Sequence, residues 1–322
     1  MTSWKYYVGG FLLNWAVLAF YYGYWREIFD HWRMALVMIL GSLVAGSTPM
    51  GGGTVAFPIL VLVFGEAPAN ARNFGLIIQA LGMTSALIFM ICRKVPLPFR
   101  MLAGSTAGAS AGFLAGTFWI GPHVQSSFVK LLFACLWMSF GLLTLAKNRE
   151  ICGLAGRGPV DRSYALWIGL AAGLIGGIMA AMIGVGVEMC VYTAMVLLFR
   201  ADLKIAIPTA VASAALASIL GAALHLLYLG DVDRTAVMNW LSAGPIVIFG
   251  APIGTWIGSK LERIKVLYFV SGLCVFQFGW TLWQTARSTA EWLFVAIAMG
   301  VAIVLLTTLY RAGKTRQPSA AN

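Results

Sequence analysis

Charge is what this chain lacks. Only 10% of its 322 residues are Asp, Glu, Lys or Arg, and only three are histidine, while 60% are hydrophobic. The mean hydropathy is +0.86. Soluble domains carry about 25% charged residues, so a water-soluble fold is excluded. The chain also lacks the residue groupings that enzymes use. His31, His123 and His225 lie far apart, no His-x-x-x-His or Cys-x-x-Cys spacing occurs, and no serine or cysteine motif brings a base with it. No enzymatic activity, cofactor or metal is therefore expected. Cys92, Cys135, Cys152, Cys190 and Cys274 show no paired spacing, and all but Cys152 fall inside apolar runs, which disfavours disulfide, metal and redox roles. The first apolar run has no small-residue cleavage site and reads as an uncleaved helix.

What the chain has is continuous apolar sequence, in runs at 8–25, 34–64, 74–92, 101–120, 127–146, 164–200, 206–228, 236–258, 264–283 and 291–310. Crossing a hydrocarbon core of about 30 Å takes roughly 20 helical residues. Continuous runs without dyad alternation predict helices and not a barrel. The runs 34–64 and 164–200 are too long for one span, and glycines interrupt each near its middle. They predict broken helices or re-entrant hairpins.

The same two runs open an internal repeat. Gly51 and Gly53 match Gly184 and Gly186 at an offset of 133, and Val129-Lys130-Leu131-Leu132 matches Ile264-Lys265-Val266-Leu267 at an offset of 135. Between these anchors, small residues from Gly104 to Gly116 have a counterpart from Gly244 to Gly258. Such ladders let membrane helices approach closely. With three full spans per half, the second half is inverted. The expected architecture is an all-α polytopic membrane protein of two homologous inverted repeats, with about eight full spans and two glycine-broken hairpins. Residues 1–33 form an extra N-terminal helix, 34–147 the first repeat, 148–163 a basic cytoplasmic loop, 164–283 the second repeat, and 284–322 a C-terminal helix and tail.

The net charge of +11 would suit nucleic acid, but the 22 basic residues sit in short clusters between apolar runs. With both termini in the cytoplasm, 16 of them fall on the cytoplasmic side and 6 opposite, the bias expected of orientation in a bilayer. The expected partners are a lipid bilayer and a small anion, with no nucleic acid; a homodimer stays open.

The strongest constellation is Gly46-Ser47-Thr48-Pro49-Met50-Gly51-Gly52-Gly53-Thr54, closed by Pro58, with its counterpart from Gly176 to Gly186. Non-helical backbone at membrane depth is tolerated only where it is buried in protein or lines a cavity. Half-helices starting near Thr54 and Val187 would point free N–H groups at the breaks, where an anion can be held without a buried cation. In an inverted repeat the two breaks meet near the midplane. The competing reading is that the glycines only permit close packing and a kink.

A span ending in small residues, a glycine break, an apolar segment with proline, and the same plan again after a basic central loop resemble the TauE/SafE family of sulfite and organosulfonate exporters. The likeness covers about residues 34–283. It implies secondary transport of small sulfur oxyanions, or of small sulfonates and carboxylates, across the bacterial inner membrane. The family's glycine motif falls on Gly51, Gly52 and Gly53. The second copy, Gly184 and Gly186, departs by holding Val185 between its glycines, with Glu188 beyond and no proline nearby.

Glu188 is the one acid well inside an apolar run. It reads either as a carrier of a coupling proton or as a structural partner of backbone or a base. Thr48, Asn73, Gln79, Thr209 and Ser213 offer neutral donors suited to sulfonate oxygens, and each could equally bond between helices. Arg72 at the outer mouth and His225 within a span fit structural roles better than ligand binding. The expected function is proton-linked export of a small anion. An accessory membrane subunit, or an anion channel without coupling, remains as an alternative.

Overall fold

A computed structural model describes residues 1–148, 150 and 163–315. Most of the basic loop expected at 148–163, and the end of the tail, lie outside the described residues. Every regular element within them is helical. The chain begins with α1 (Thr2–Ala16), short α2 (Trp25–Asp30) and α3 (Trp32–Ser47). There follow α4 (Gly53–Pro58), α5 (Pro68–Cys92), α6 (Phe99–Ala115) and α7 (Ser126–Ala146). Past the loop come α8 (Ala165–Ile183), α9 (Val187–Thr193), α10 (Leu203–Ala223), α11 (Arg234–Lys260), α12 (Arg263–Thr285) and α13 (Thr289–Thr315).

Both long runs are broken where the glycines fall. In the first, Ser47 and Thr48 turn their hydroxyls back onto the Leu43 and Val44 carbonyls, each at 2.7 Å. This local bonding competes with the helix ladder. Thr48 precedes Pro49 and is extended (φ −135°, ψ 164°), as a residue before proline tends to be. Gly51 then takes φ +73°, and α4 starts at Gly53. In the second run, Gly184 closes α8 at φ +79° with its N–H on the Ala180 carbonyl, and Gly186 follows at φ +137°. Left-handed backbone of this kind is open to glycine and penalises other residues.

At each break the chain turns back on itself. Ser42, Leu43 and Ser47 of α3 meet Gly250, Gly254 and Gly258 of α11 in order, so the two helices run parallel. The chain then returns, because Gly52 lies back beside Gly41 and Ala45 of α3. The second hairpin is built alike. Gly104, Gly108, Gly112 and Gly116 of the α6 segment take Leu166, Leu170, Leu174 and Ile178 of α8 in parallel order, and Gly186 and Val187 come back against Met179 and Gly176. Both returning arms, α4 and α9, pass into wide π turns at Ile59–Val63 and Ala194–Leu198.

The main pairings cross the middle of the chain. The long arm of each hairpin packs on the second helix after the hairpin of the other half, giving α3 with α11 and α8 with α6. In the same way α5 pairs with α10 and α7 with α12. α13 lies outside, on α7 and the π turn after α9.

Among the described residues, six helices are long and apolar enough to cross a membrane: Pro68–Cys92, Ser126–Ala146, Ala165–Ile183, Leu203–Leu229, Arg234–Lys260 and Thr289–Gly313. Ala165–Ile183 belongs to a run read from sequence as a hairpin, and it is the long arm of one. Of the eight full spans expected, those at 8–25, 101–120 and 264–283 are not among the six. α1 and α6 hold 15 and 17 residues before passing into π turns. The glycines that let α6 touch α8 also leave it fewer large apolar side chains.

That seam is tight enough to test. A Cβ on Gly108 would run into the Leu170 carbonyl, with the Leu174 nitrogen 2.9 Å away, and neither is a flexible chain end. Gly108→Leu is expected to destabilise the protein by about 3 kcal/mol or more, the upper range for overpacking. Gly300→Leu, at a position with nothing within 4 Å, is expected to leave thermal unfolding in detergent unchanged. Equal melting temperatures for the two variants would contradict the seam.

Candidate functional site

The two hairpin tips meet. A Cβ placed on Gly51 would collide with Glu188 Oε1 and lie 2.9 Å from Gln79 Nε2. One placed on Gly53 would collide with Val185 and lie 3.2 Å from the same Gln79 nitrogen. α5 passes between the tips, with Gly75 in ordinary contact with Gly184, and a Cβ on Gly184 would lie 2.7 Å from the Arg72 carbonyl oxygen of α5. Glycine at 51 and 53 allows this approach, since the second tip and α5 sit where side chains at those two positions would be. The space of the absent side chains at 51 and 53 is filled by Glu188 and Val185 of the second hairpin and Gln79 of α5.

Two polar atoms at this crossing are unspent. Glu188 and Gln79 are 1% and 2% exposed. Glu188 Oε2 accepts weakly from the Gly186 N–H at 3.4 Å, while Oε1 has no hydrogen-bond partner among the described residues. Ser218 donates to Gln79 Oε1 at 3.0 Å. That contact turns Gln79 Nε2 towards Gly51, and this nitrogen also has no described partner. A donor and an acceptor, each deeply buried, thus face one point beside Gly51. Leaving such groups unmatched costs about 1–3 kcal/mol each, and more for a charge. No ion pair to Glu188 joins two described residues.

The remaining residues singled out in the sequence divide into two groups. Thr48, Gly52 and Thr54 belong to the first tip, but both hydroxyls are held locally, Thr48 by Val44 and Thr54 by the Met50 carbonyl. Gly184 and Gly186 form the second tip. Asn73 lies towards the opposite face, where it accepts from Arg72 Nε at 3.0 Å and donates to the Asp231 carbonyl at 2.9 Å. Thr209 and Ser213 stand apart on α10. Thr209 bonds the Ile205 carbonyl at 2.7 Å, and Ser213 pairs with Ser105 of α6 at 2.7 Å. The structure therefore gathers Gly51, Gly53, Gln79, Gly184 and Glu188, and leaves Thr209 and Ser213 in helix packing.

The two faces of the crossing differ. On one, Arg72 binds Asp231 at 3.3 Å and the Ala181 carbonyl at 3.4 Å, and Asp231 also holds His225 Nδ1 at 2.7 Å. This network ties α5 and the loop after α10 to the end of α8. On the other, a cavity of about 790 Å³ reaches Gly46, Ser47 and Pro49 of the first tip. Lys204 and Lys260 line it, with Tyr192, Pro208 and Thr255. Sequence reasoning missed these two lysines as site residues. It used them only as markers of orientation, because the α10 start and the α11 end become neighbours only in three dimensions. Asp231 was equally silent, a loop acid with no motif around it.

The sulfite exporter TauE/SafE family matches residues 34–278 of the chain. A probable membrane transporter protein of Bacillus subtilis (strain 168), YunE, is 24% identical over 251 residues, which cover 70% of this chain and 86% of that relative. No solved structure matches the chain. The family match spans both hairpins and every residue of the crossing, and the chain therefore belongs to the sulfite exporter TauE/SafE family of membrane transporters.

Proposed function

We propose that the chain is a secondary transporter that moves a small anion, namely sulfite, an organosulfonate such as sulfoacetate, or a related small carboxylate, out across the bacterial inner membrane in a proton-linked step. The observation that carries this reading is the crossing of two broken helices over one buried, unmatched donor and acceptor. Family membership supports transport, and the crossing supports a place for it.

In this reading the halves are inverted repeats. The crosswise pairing of each hairpin with the other half supports that relation, as does the shared plan of glycine break and half-helix. Backbone amides at Gly51–Gly53, with Gln79 Nε2, would hold the anion beside the Gly184–Gly186 turn, and α4 and α9 would direct their positive ends towards it. Glu188 lies in the same place, so its charge decides whether an anion is repelled or admitted. A proton on Glu188 would then accompany each solute, which is the coupling. Both termini lie in the cytoplasm under this scheme, with the open cavity on the cytoplasmic side and the Arg72–Asp231 network closing the outer one. The protein would rest facing inward, as an exporter awaiting its load.

The direct test is counterflow of labelled sulfite, sulfoacetate, isethionate, taurine and small carboxylates into proteoliposomes holding the purified chain alone. Saturable exchange of at least one anion is expected. None, or flux that never saturates, would favour the accessory or channel readings. Gly51→Ala forces a side chain into left-handed backbone, at about 1–2 kcal/mol, and against Glu188; exchange is expected to fall about tenfold or more with the protein still folded, and unchanged exchange would remove the first tip from the site. For Glu188→Gln, exchange should persist while net flux stops responding to an imposed pH gradient. A retained response would assign Glu188 to structure. Arg72→Asp should slow exchange, and Arg72→Asp with Asp231→Arg should restore most of it. Failure of the double variant to recover would show that the outer closure does not depend on that ion pair.

A further inference from the structure

α13 leaves a slot behind it. Its main contacts are with α7 and the π turn Ala194–Leu198, not with α8. Near its end it is held fast, since a Cβ on Gly313 would strike the Leu197 carbonyl. Between α13 and α8 lies a cavity of about 240 Å³, floored by α7 and α9, whose lining is almost wholly apolar and includes Phe140, Ile168, Met189 and Leu306. Ile175 of α8 and Leu305 of α13 form its rims and are 48% and 46% exposed, so the slot opens sideways. Ser139 in its floor spends its hydroxyl on the Cys135 carbonyl at 2.7 Å, which leaves water little to bind. The lining reaches from Ile168 to Met179 on α8 and from Ala302 to Leu309 on α13. At 1.5 Å per residue these stretches are roughly 16 and 10 Å long, about the depth of one leaflet of a ~30 Å hydrocarbon core.

One end of the slot is basic. Leu198 and Leu309 close it, and just beyond them along the chain stand Arg200 and Tyr310. Lys147 Nζ lies 4.3 Å from the Tyr310 ring centroid, and the Arg200 guanidinium carbon 6.0 Å from it. Glu150 accepts from both Arg200 and the Tyr310 hydroxyl, while Asp202 accepts from the Lys204 N–H of α10 at 3.0 Å. With Arg311 beside Tyr310, three cations face these two acids. We propose that the slot binds an anionic phospholipid of the bilayer, with one acyl chain between α8 and α13 and the phosphate beside Lys147. In the proposed orientation this is the cytoplasmic leaflet, where basic pockets between spans suit acidic headgroups. The acyl chain packs on Met189 and Thr193 of α9 and so backs the arm that carries Glu188. The inference does not rest on transport.

The test is photo-crosslinking of the full chain in phosphatidylcholine nanodiscs. They hold a trace of phosphatidylglycerol with a diazirine on its acyl chain, or of the same analogue of phosphatidylcholine, and the labelled peptides are identified by mass spectrometry. Labelling is expected within residues 168–179, 189–198 and 302–309, about fivefold or more stronger with phosphatidylglycerol, the factor that one basic residue near an anionic headgroup supplies. Lys147→Gln should lower phosphatidylglycerol labelling about fivefold and leave phosphatidylcholine labelling unchanged. Ala302→Trp fills the slot and should remove labelling there by both lipids. Ile175→Trp, on the opposite rim, should do the same, and thermal unfolding in detergent checks that both variants fold. Equal labelling by the two lipids would overturn the proposal and make the slot a gap that any acyl chain fills. So would labelling spread evenly over the outer faces of α1, α12 and α13, or slot labelling that survives both tryptophan variants.

Discussion

A backbone amide at membrane depth has to find a partner, and in this protein that requirement organises everything else. Lipid supplies no hydrogen bonds, so a helix that stops partway must be enclosed by protein. Here two helices stop, at Ser47 and at Ile183, and each break is enclosed chiefly by the other and by α5. The crossing is possible because positions 51, 53 and 184 have no side chains to separate the segments. Into the space so created come Glu188 and Gln79, the polar groups that remain unmatched there.

The glycine seams act at a distance to the same end. α3 lies on α11, and α8 on α6, at spacings where a Cβ would strike backbone. Backbone-to-backbone contact of this kind is how membrane helices associate without a hydrophobic driving force between them. It also fixes the height of each tip, because a long arm held in register over successive turns delivers its break to one depth. Asymmetry then enters at the two faces. One is laced by Arg72, Asp231, Asn73 and His225, while the other opens to a cavity rimmed by lysines.

Much of this could be read from composition and spacing. The apolar runs, the two breaks and the starts of the half-helices near Thr54 and Val187 all follow from glycine and proline chemistry, which acts within a few residues. Glu188 stood out because an acid in an apolar run needs a reason. The polar side chains were harder to place. Thr209 and Ser213 look like Gln79 in sequence, yet a hydroxyl one turn from a free carbonyl bonds its own helix, whereas the longer amide of Gln79 reaches the opposite segment. Lys204, Lys260 and Asp231 gave no sign of a place at the site, since that depends on which helix ends become neighbours. Span counting was limited for a related reason: the small residues that make α6 pack well make it look less like a span.

The claim on which the account turns is that the two breaks form one site. Hydrogen exchange of the purified chain in nanodiscs, followed by mass spectrometry with and without a transported anion, tests it most directly. The account predicts that an anion slows exchange in residues 49–55 and 184–190 together, to the same half-saturation. Protection confined to one segment, or to neither while the anion demonstrably binds, would contradict it.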